Sequence, residues 1–447
     1  MQNASKWAFS DIIRPHHQLF NLLSFPIEGE MSGFNYQNNE LHAEQVPLQE
    51  VANQYGTPCY VYSKQAIIQN WHAFYDPLLA SQKSFNIYYA VKANSNLSIL
   101  NLLAKLGAGF DVVSGGEIDR VLRAGGNPNK IVYAGVGKSV VEISKAIDLQ
   151  IHSLHVESEA ELLRIQDIAK QKNKIVNIAL RLNPDVASES HPYISTGSKD
   201  NKFGIDYNKA LEVYKLAASL SHIAVKGIAC HIGSQITTMT PFLNSINQLL
   251  AIIDKLKASH IDLEYIDVGG GLGISYNGEN PPTPQQYISS ILEKLKDNKL
   301  ELHIEPGRAL VANSGALLTR VEYLKSTANN NFAIVDAAMN DLMRPALYKS
   351  FHDIVPVHLK DSPAQTYSIV GPICESGDFL ANNRSLNLQA SDLLAIKDCG
   401  AYGFSMSSNY NSRPRCAEVM VDGSKIRLIR QRETIEQLLE NENFEYA

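Results

Sequence analysis

From about residue 85 onward, short apolar, β-branched runs alternate with longer stretches whose apolar positions recur every three or four residues. Eight such runs stand out, at 86–91, 109–113, 131–134, 153–156, 176–181, 225–230, 265–268 and 301–304. Helix-patterned stretches lie between them, for example 97–106, 116–124 and 241–259. Strands alternating with helices predict βαβ units and a parallel sheet. Eight units in about 220 residues fit a closed (β/α)₈ barrel of TIM type. An open doubly wound sheet is the alternative.

The pattern changes after about residue 312. Runs at 316–323, 332–336, 366–370, 392–398, 417–421 and 425–429 read as strands with little helix between them. They predict a second, mainly β domain, to which the segment 41–62 lends an early strand. The expected division is an N-terminal extension at 1–30, a barrel at 66–312, and a β domain built from 31–65 and 313–447. The stretch 188–201 is rich in Ser, Gly and Asp without periodicity, and reads as a long rim loop.

Composition narrows the function classes. The chain has 447 residues, of which 45% are apolar and 19% charged, with a net charge of −6. That is globular rather than disordered, and it lacks the basic footprint of a nucleic-acid binder. No run of eighteen apolar residues predicts a membrane span. Five scattered cysteines without a C-x-x-C pair point to free thiols and a cytoplasmic, reducing compartment. Residues 1–30 read as a tail, a start assigned too early ahead of Met31, or a weak targeting segment.

Polar and glycine residues collect at the predicted strand ends: Lys92, Asp111, Ser114, Gly135, Gly137, Glu157, Asn183, His231, the cluster Gly269, Gly270 and Gly271, and Glu305. In a barrel these ends share one rim, where active sites of this architecture are built. Lys92 closes the apolar run Asn86-Ile-Tyr-Tyr-Ala-Val-Lys92. It reads either as a lysine reaching water or as a Schiff-base lysine whose pKa a pocket lowers by desolvation. Asp267-Val-Gly-Gly-Gly-Leu-Gly273 is a tight turn or a phosphate cradle, and its spacing departs from the dinucleotide motif. Gly135-Val-Gly-Lys-Ser139 lacks the first glycine of a P-loop, having Val132 there, but is suited to starting a rim helix.

The pair His152 and His155 falls on opposite faces of a strand, so no metal site is expected. In Glu305-Pro-Gly-Arg308 the two charges either pair or serve separate ligands, a cationic ring nitrogen and an anion.

These motifs, with His231-Ile-Gly-Ser-Gln235, Cys374-Glu-Ser-Gly-Asp378 and Gly400-Ala-Tyr-Gly403, resemble in their order the fold-type III pyridoxal-phosphate decarboxylases. Among those, the likeness is to the diaminopimelate decarboxylases, and it runs from about residue 33 to 435. The resemblance implies pyridoxal 5′-phosphate on Lys92, His231 stacked on its ring, and Ser234, Gly269, Gly270 and Gly271 at its phosphate with Tyr402 nearby. Glu305 would face the ring nitrogen. Arg308, Arg344 and Tyr348 would bind a substrate carboxylate, with Tyr402 beside them. Cys374, a candidate proton donor alongside Lys92, and Glu375 would reach into the barrel of a second copy, so a homodimer with shared sites is implied. Ornithine- and arginine-type enzymes share much of this set. Glu375 and Arg344 together favour a substrate with a distal amino acid centre, meso-diaminopimelate. A non-catalytic pyridoxal-phosphate-binding relative is the remaining alternative.

Overall fold

The computed structural model describes residues 33–184 and 201–444. Eight strands form in the expected places: β1 (Phe85–Ala90), β2 (Gly109–Val112), β3 (Ile131–Tyr133), β4 (Ser153–Val156), β5 (Val176–Asn183), β6 (Ile223–Cys230), β7 (Tyr265–Asp267) and β8 (Glu301–Ile304). Each pairs in parallel with the next. Strand β8 returns to β1 through Leu302 opposite Phe85, which closes the barrel and excludes the open sheet.

The helices outside the barrel follow from their apolar spacing. Helix Leu97–Lys105 buries Ile99, Leu100 and Leu103, and begins where the Asn96 side chain accepts from the Ser98 N–H. Helix Thr240–Ala258 buries a stripe that includes Phe242, Ile246, Leu249, Ile253 and Leu256. Each such buried side chain contributes about 1.5–3 kcal/mol relative to exposure. At the rim, Ser114 caps helix Gly115–Arg123, and a Ser139–Glu142 capping box starts helix Val140–Leu149. The Gly135-to-Ser139 segment therefore starts a rim helix, as its sequence suggests. No described helix is long and apolar enough to cross a membrane.

The barrel interior is polar. The Tyr265 hydroxyl on β7 donates to Ser153 Oγ on β4 at 2.7 Å, a contact between non-neighbouring strands that must cross the lumen. The Tyr265 and His303 rings stack with centroids 4.1 Å apart, and Tyr88 meets His303 at 5.0 Å. His152 joins this group, 5.4 Å from both Tyr265 and His303.

A second sheet has the strand order Phe379–Leu386, Gln365–Val370, Asn331–Val335, Gly315–Ser326, Cys59–Ser63, Ala417–Asp422, Lys425–Arg430. The early strand Cys59–Ser63 lies inside this sheet, antiparallel to Gly315–Ser326 and parallel to Ala417–Asp422. Strand Phe379–Leu386 has no counterpart in the sequence reading. Its centre carries Asn382 and Asn383, residue types depleted from strands, and Asn383 adopts φ 55°. The short strand Ile354–Pro356 and the strands within residues 34–47 were likewise not foreseen. The N-terminal extension 1–30 and most of the expected loop 188–201 lie outside the described residues.

The sheet is fastened to the barrel next to β1. The Asn94 side chain donates to Gly400 O at 3.0 Å, and Asn96 to Glu418 Oε2 at 2.9 Å. The Tyr402 N–H donates to Ala93 O at 2.8 Å. These bonds fix the Gly400-to-Gly403 turn beside Lys92.

Candidate active site

Lys92 lies in the single turn Val91–Ala93 that ends β1. Its Nζ donates to Asp111 Oδ2 on β2 at 2.7 Å. Sequence reasoning expected burial to lower the Lys92 pKa, and the structure corrects this. Burial does act in that direction, but Asp111, followed by Tyr402 and Glu305, outweighs it and holds the ammonium above its ordinary range. The lysine does not simply reach bulk water either, since it lines a cavity of about 350 Å³ with His155, Arg181, Phe203, His231 and Glu305.

Glu305 follows β8 and Asp267 ends β7, both buried. Burial, then Asp267 and Asp111, push the Glu305 carboxyl well above the usual carboxylate range, and burial raises Asp267 to about 6. Glu305 Oε1 has no hydrogen-bond partner. A buried oxygen of this kind suits a cationic ring nitrogen, which would favour the carboxylate by its charge. His155 lies below, with Nδ1 3.7 Å from Glu305 Oε1 and Nε2 4.0 Å from Asp267 Oδ2. Burial, with Lys138 and His303 nearby, keeps its imidazole neutral. One ligand atom from each of His155, Asp267 and Glu305 falls within 4.8 Å of the others, a metal-like spacing that the H-x-x-H reading did not foresee. His152 plays no part in it, being among the lumen rings.

His231 follows β6. Its Nδ1 accepts from the Gly270 N–H at 3.3 Å, and burial, then Arg181 and Lys92, hold the ring neutral. A neutral ring lining the cavity can stack on a pyridine. The glycine cluster is required by close approach. A Cβ on Gly270 would lie 2.1 Å from Glu305 O, and one on Gly269 2.3 Å from Cys230 O. The Gly269 N–H donates to Asp267 Oδ1 at 2.8 Å. Two of the three amides thus point into the protein. Of these three amides, that of Gly271 alone has no acceptor among the described residues, which leaves it open to an anion.

Glu305 and Arg308 do not pair. Arg308 donates instead to Tyr276 Oη at 2.8 Å and to Ser234 Oγ at 2.9 Å, with its guanidinium 4.9 Å from the Tyr402 ring. Ser234, expected at a phosphate, therefore also holds this arginine. Arg344, in helix Arg344–Tyr348, is buried with its guanidinium 4.7 Å from the Tyr276 ring and Nη1 2.7 Å from His352 Nε2. Tyr348 is near enough to raise the Arg308 pKa. No carboxylate of the described residues lies within ion-pair distance of either arginine.

Cys374 and Glu375 stand apart. Both are exposed on a turn of the second sheet, where the Cys374 N–H donates to Asn411 Oδ1 at 2.8 Å and Glu375 accepts from the Tyr410 hydroxyl at 2.9 Å. Neither lines the Lys92 cavity. Tyr276, His352, Arg181 and His155 escaped the sequence reading as site residues. For Arg181 a signal existed, a charged residue inside the apolar run Ile178-Ala-Leu-Arg-Leu182. Tyr276 and His352 sit in irregular segments that carry no periodic signal.

The residues present fit pyridoxal phosphate: an amine at Lys92, an unpartnered carboxylate oxygen at Glu305, a neutral ring at His231 and a free amide at Gly271. Comparisons agree. Residues 64–312 match the model of the pyridoxal-dependent decarboxylase pyridoxal-binding domain. The diaminopimelate decarboxylase of Vibrio cholerae is 55% identical over 410 residues, covering 91% of this chain and 98% of that one. The Pseudomonas aeruginosa enzyme is 50% identical, covering 92% and 99%. The structure of diaminopimelate decarboxylase from Helicobacter pylori complexed with L-lysine superposes with a TM-score of 0.85 at 42% identity, covering 88% of this chain and 98% of that one. The lumen carboxylates, the lysine beside them and these likenesses lead to one conclusion: the chain belongs to the pyridoxal-dependent decarboxylases and, within them, to the diaminopimelate decarboxylase family.

Proposed function

We propose that the chain removes CO₂ from the D-centre of meso-2,6-diaminopimelate and releases L-lysine, with pyridoxal phosphate attached through Lys92. The observation that carries this reading is the pair of buried arginines, Arg308 against the Tyr402 ring and Arg344 against the Tyr276 ring, without a carboxylate partner among the described residues. Two such cations make a receptor for an anionic group. Ornithine and arginine offer a distal cation there, which the pair would repel. Diaminopimelate offers a distal carboxylate.

Pyridoxal phosphate, when bound, supplies the electron sink for the pair left at Cα as CO₂ departs. The protein does the rest. Glu305 favours a protonated ring nitrogen by its charge. His231 would bear on one face of the cofactor ring. The Gly271 amide and Ser234 hydroxyl would hold its phosphate. Asp111 would hold the Lys92 ammonium whenever that amine is not attached to the cofactor. Arg308, Arg344, Tyr348 and Tyr402 orient the substrate through its distal carboxylate, and binding energy spent there aligns the scissile bond.

Cys374 and Glu375 complete the site from a second copy of the chain. In this reading the enzyme is a homodimer, Glu375 takes the distal ammonium, and the Cys374 thiol returns a proton to Cα. Residues 66–312 carry the cofactor, while 31–65 and 313–447 form the β domain that supplies substrate and dimer contacts. Five free cysteines accord with a cytoplasmic setting.

The test is product analysis with the purified, reconstituted protein. Equimolar L-lysine and CO₂ from meso-diaminopimelate, with none from the LL isomer, is the expected result. No lysine and no CO₂ from meso-diaminopimelate, or CO₂ from the LL isomer at the same rate, would overturn the reading.

A further inference from the structure

We propose that His352 is a positioning residue of the distal-carboxylate site: it holds the Arg344 guanidinium in place with a neutral acceptor, so that the full positive charge is kept for substrate. This rests on the reading above, in which Arg344 binds that carboxylate.

His352 is fully buried between helix Arg344–Tyr348 and strand Ile354–Pro356. Its Nδ1 lies 2.9 Å from Lys397 O. A carbonyl oxygen only accepts, so Nδ1 carries the ring proton. Nε2 then has a lone pair, and it accepts from Arg344 Nη1 at 2.7 Å. Burial, then Arg344, hold the imidazole pKa down to about 3, so the ring stays in this neutral tautomer throughout the working pH range.

Tyr276 completes the arrangement. Its ring lies 4.7 Å from the Arg344 guanidinium and meets His352 edge-on at 5.2 Å, while its hydroxyl accepts from Arg308. Two like charges are thus held close by a ring, an imidazole and hydroxyls, none of them anionic. A carboxylate at position 352 would also hold Arg344, but by neutralising it. A neutral acceptor sets direction and leaves charge, which is the property a carboxylate receptor needs.

The two ends of the imidazole can be tested apart. His352→Asn can keep the bond to Lys397 O but is too short to reach Arg344. His352→Gln can present an amide oxygen where Nε2 stands. L-Lysine retains the distal carboxylate of diaminopimelate, and 1,5-diaminopentane lacks it. The quantity to read, on the pyridoxal-phosphate-loaded enzyme, is the ratio of their inhibition constants. His352→Asn is expected to weaken lysine by about tenfold while 1,5-diaminopentane inhibits as before, and His352→Gln to restore most of the ratio. Cofactor absorbance stays as in the parent. Equal weakening of both inhibitors would mean a merely structural role and overturn the proposal. An unchanged ratio in His352→Asn, with the ratio collapsed in Arg344→Ala, would overturn the role of His352 and leave the substrate reading standing. An unchanged ratio in Arg344→Ala would overturn the substrate reading itself, and this proposal with it.

Discussion

Lys92 Nζ lies 2.7 Å from Asp111 Oδ2, on a carboxylate that has no solvent exposure. The ion pair joins two neighbouring barrel strands and holds the charge of the amine that, in the proposed function, carries the cofactor. Without Asp111, burial would dominate and the Lys92 pKa would fall. Asp111→Asn should therefore shift the pH profile of cofactor uptake by the apoenzyme downward by at least about one unit, worth ~1.4 kcal/mol. The visible absorbance of the bound cofactor measures it. An unmoved profile would show that Asp111 does not control the amine.

The separation of Cys374 from the cavity makes a stoichiometric prediction. Lys92→Ala and Cys374→Ala should each lose roughly 100-fold or more of the activity. Refolding the two together in equal amounts should restore about a quarter of the parental activity, because half of the dimers are mixed and each carries one intact site. If mixing restores nothing, each site draws its lysine and cysteine from a single chain.

A glycine can be tested for close approach rather than for flexibility. Gly270 is not at positive φ, yet its Cβ would lie 2.1 Å from Glu305 O, a backbone atom. Gly270→Ala should cost about 1–3 kcal/mol of stability in denaturant unfolding and displace Glu305, weakening cofactor binding. Stability and cofactor affinity equal to the parent would contradict this packing.

The barrel itself was legible because its strands are continuous apolar runs, and their polar ends advertise the rim. Lys92, His231 and Glu305 were readable for that reason. The direction of the Lys92 pKa was not, since it depends on Asp111 nineteen positions away, brought alongside by the β1–β2 register of Ala90 with Asp111. His352 and Tyr276 were invisible because each belongs to an irregular segment, and only tertiary contact with the arginines gives them meaning. Strand Phe379–Leu386 was missed because its asparagines contradict strand propensity while the neighbouring strand overrides it. Cys374 and Glu375 came from family resemblance alone, and one chain does not place them in its own cavity.

Glu142 links two rim helices and gives a pH signature. Its carboxylate accepts from the Gly115 N–H at 2.8 Å and from the Ser139 hydroxyl at 2.7 Å, and these bonds hold its pKa down to about 2. An unfolded glutamate titrates near ~4.3. A depressed folded pKa means that the stabilisation is complete above that value and is lost as pH falls toward about 2. Glu142→Gln should be less stable by about 1 kcal/mol at pH 6, after allowance for solvent screening, and the gap should narrow as the pH falls below about 4 and close only near about 2. Urea unfolding at a series of pH values reads this, and a gap independent of pH would contradict the assignment.

The central claim is that Arg308 and Arg344 select a substrate with a distal carboxylate. The most direct measurement is CO₂ release by the reconstituted enzyme offered meso-diaminopimelate, ornithine, arginine and lysine in parallel at equal concentration. Release from diaminopimelate alone is the predicted result. Faster release from ornithine or arginine would contradict the account, leaving the barrel and Lys92 in place but removing the role given to the arginine pair.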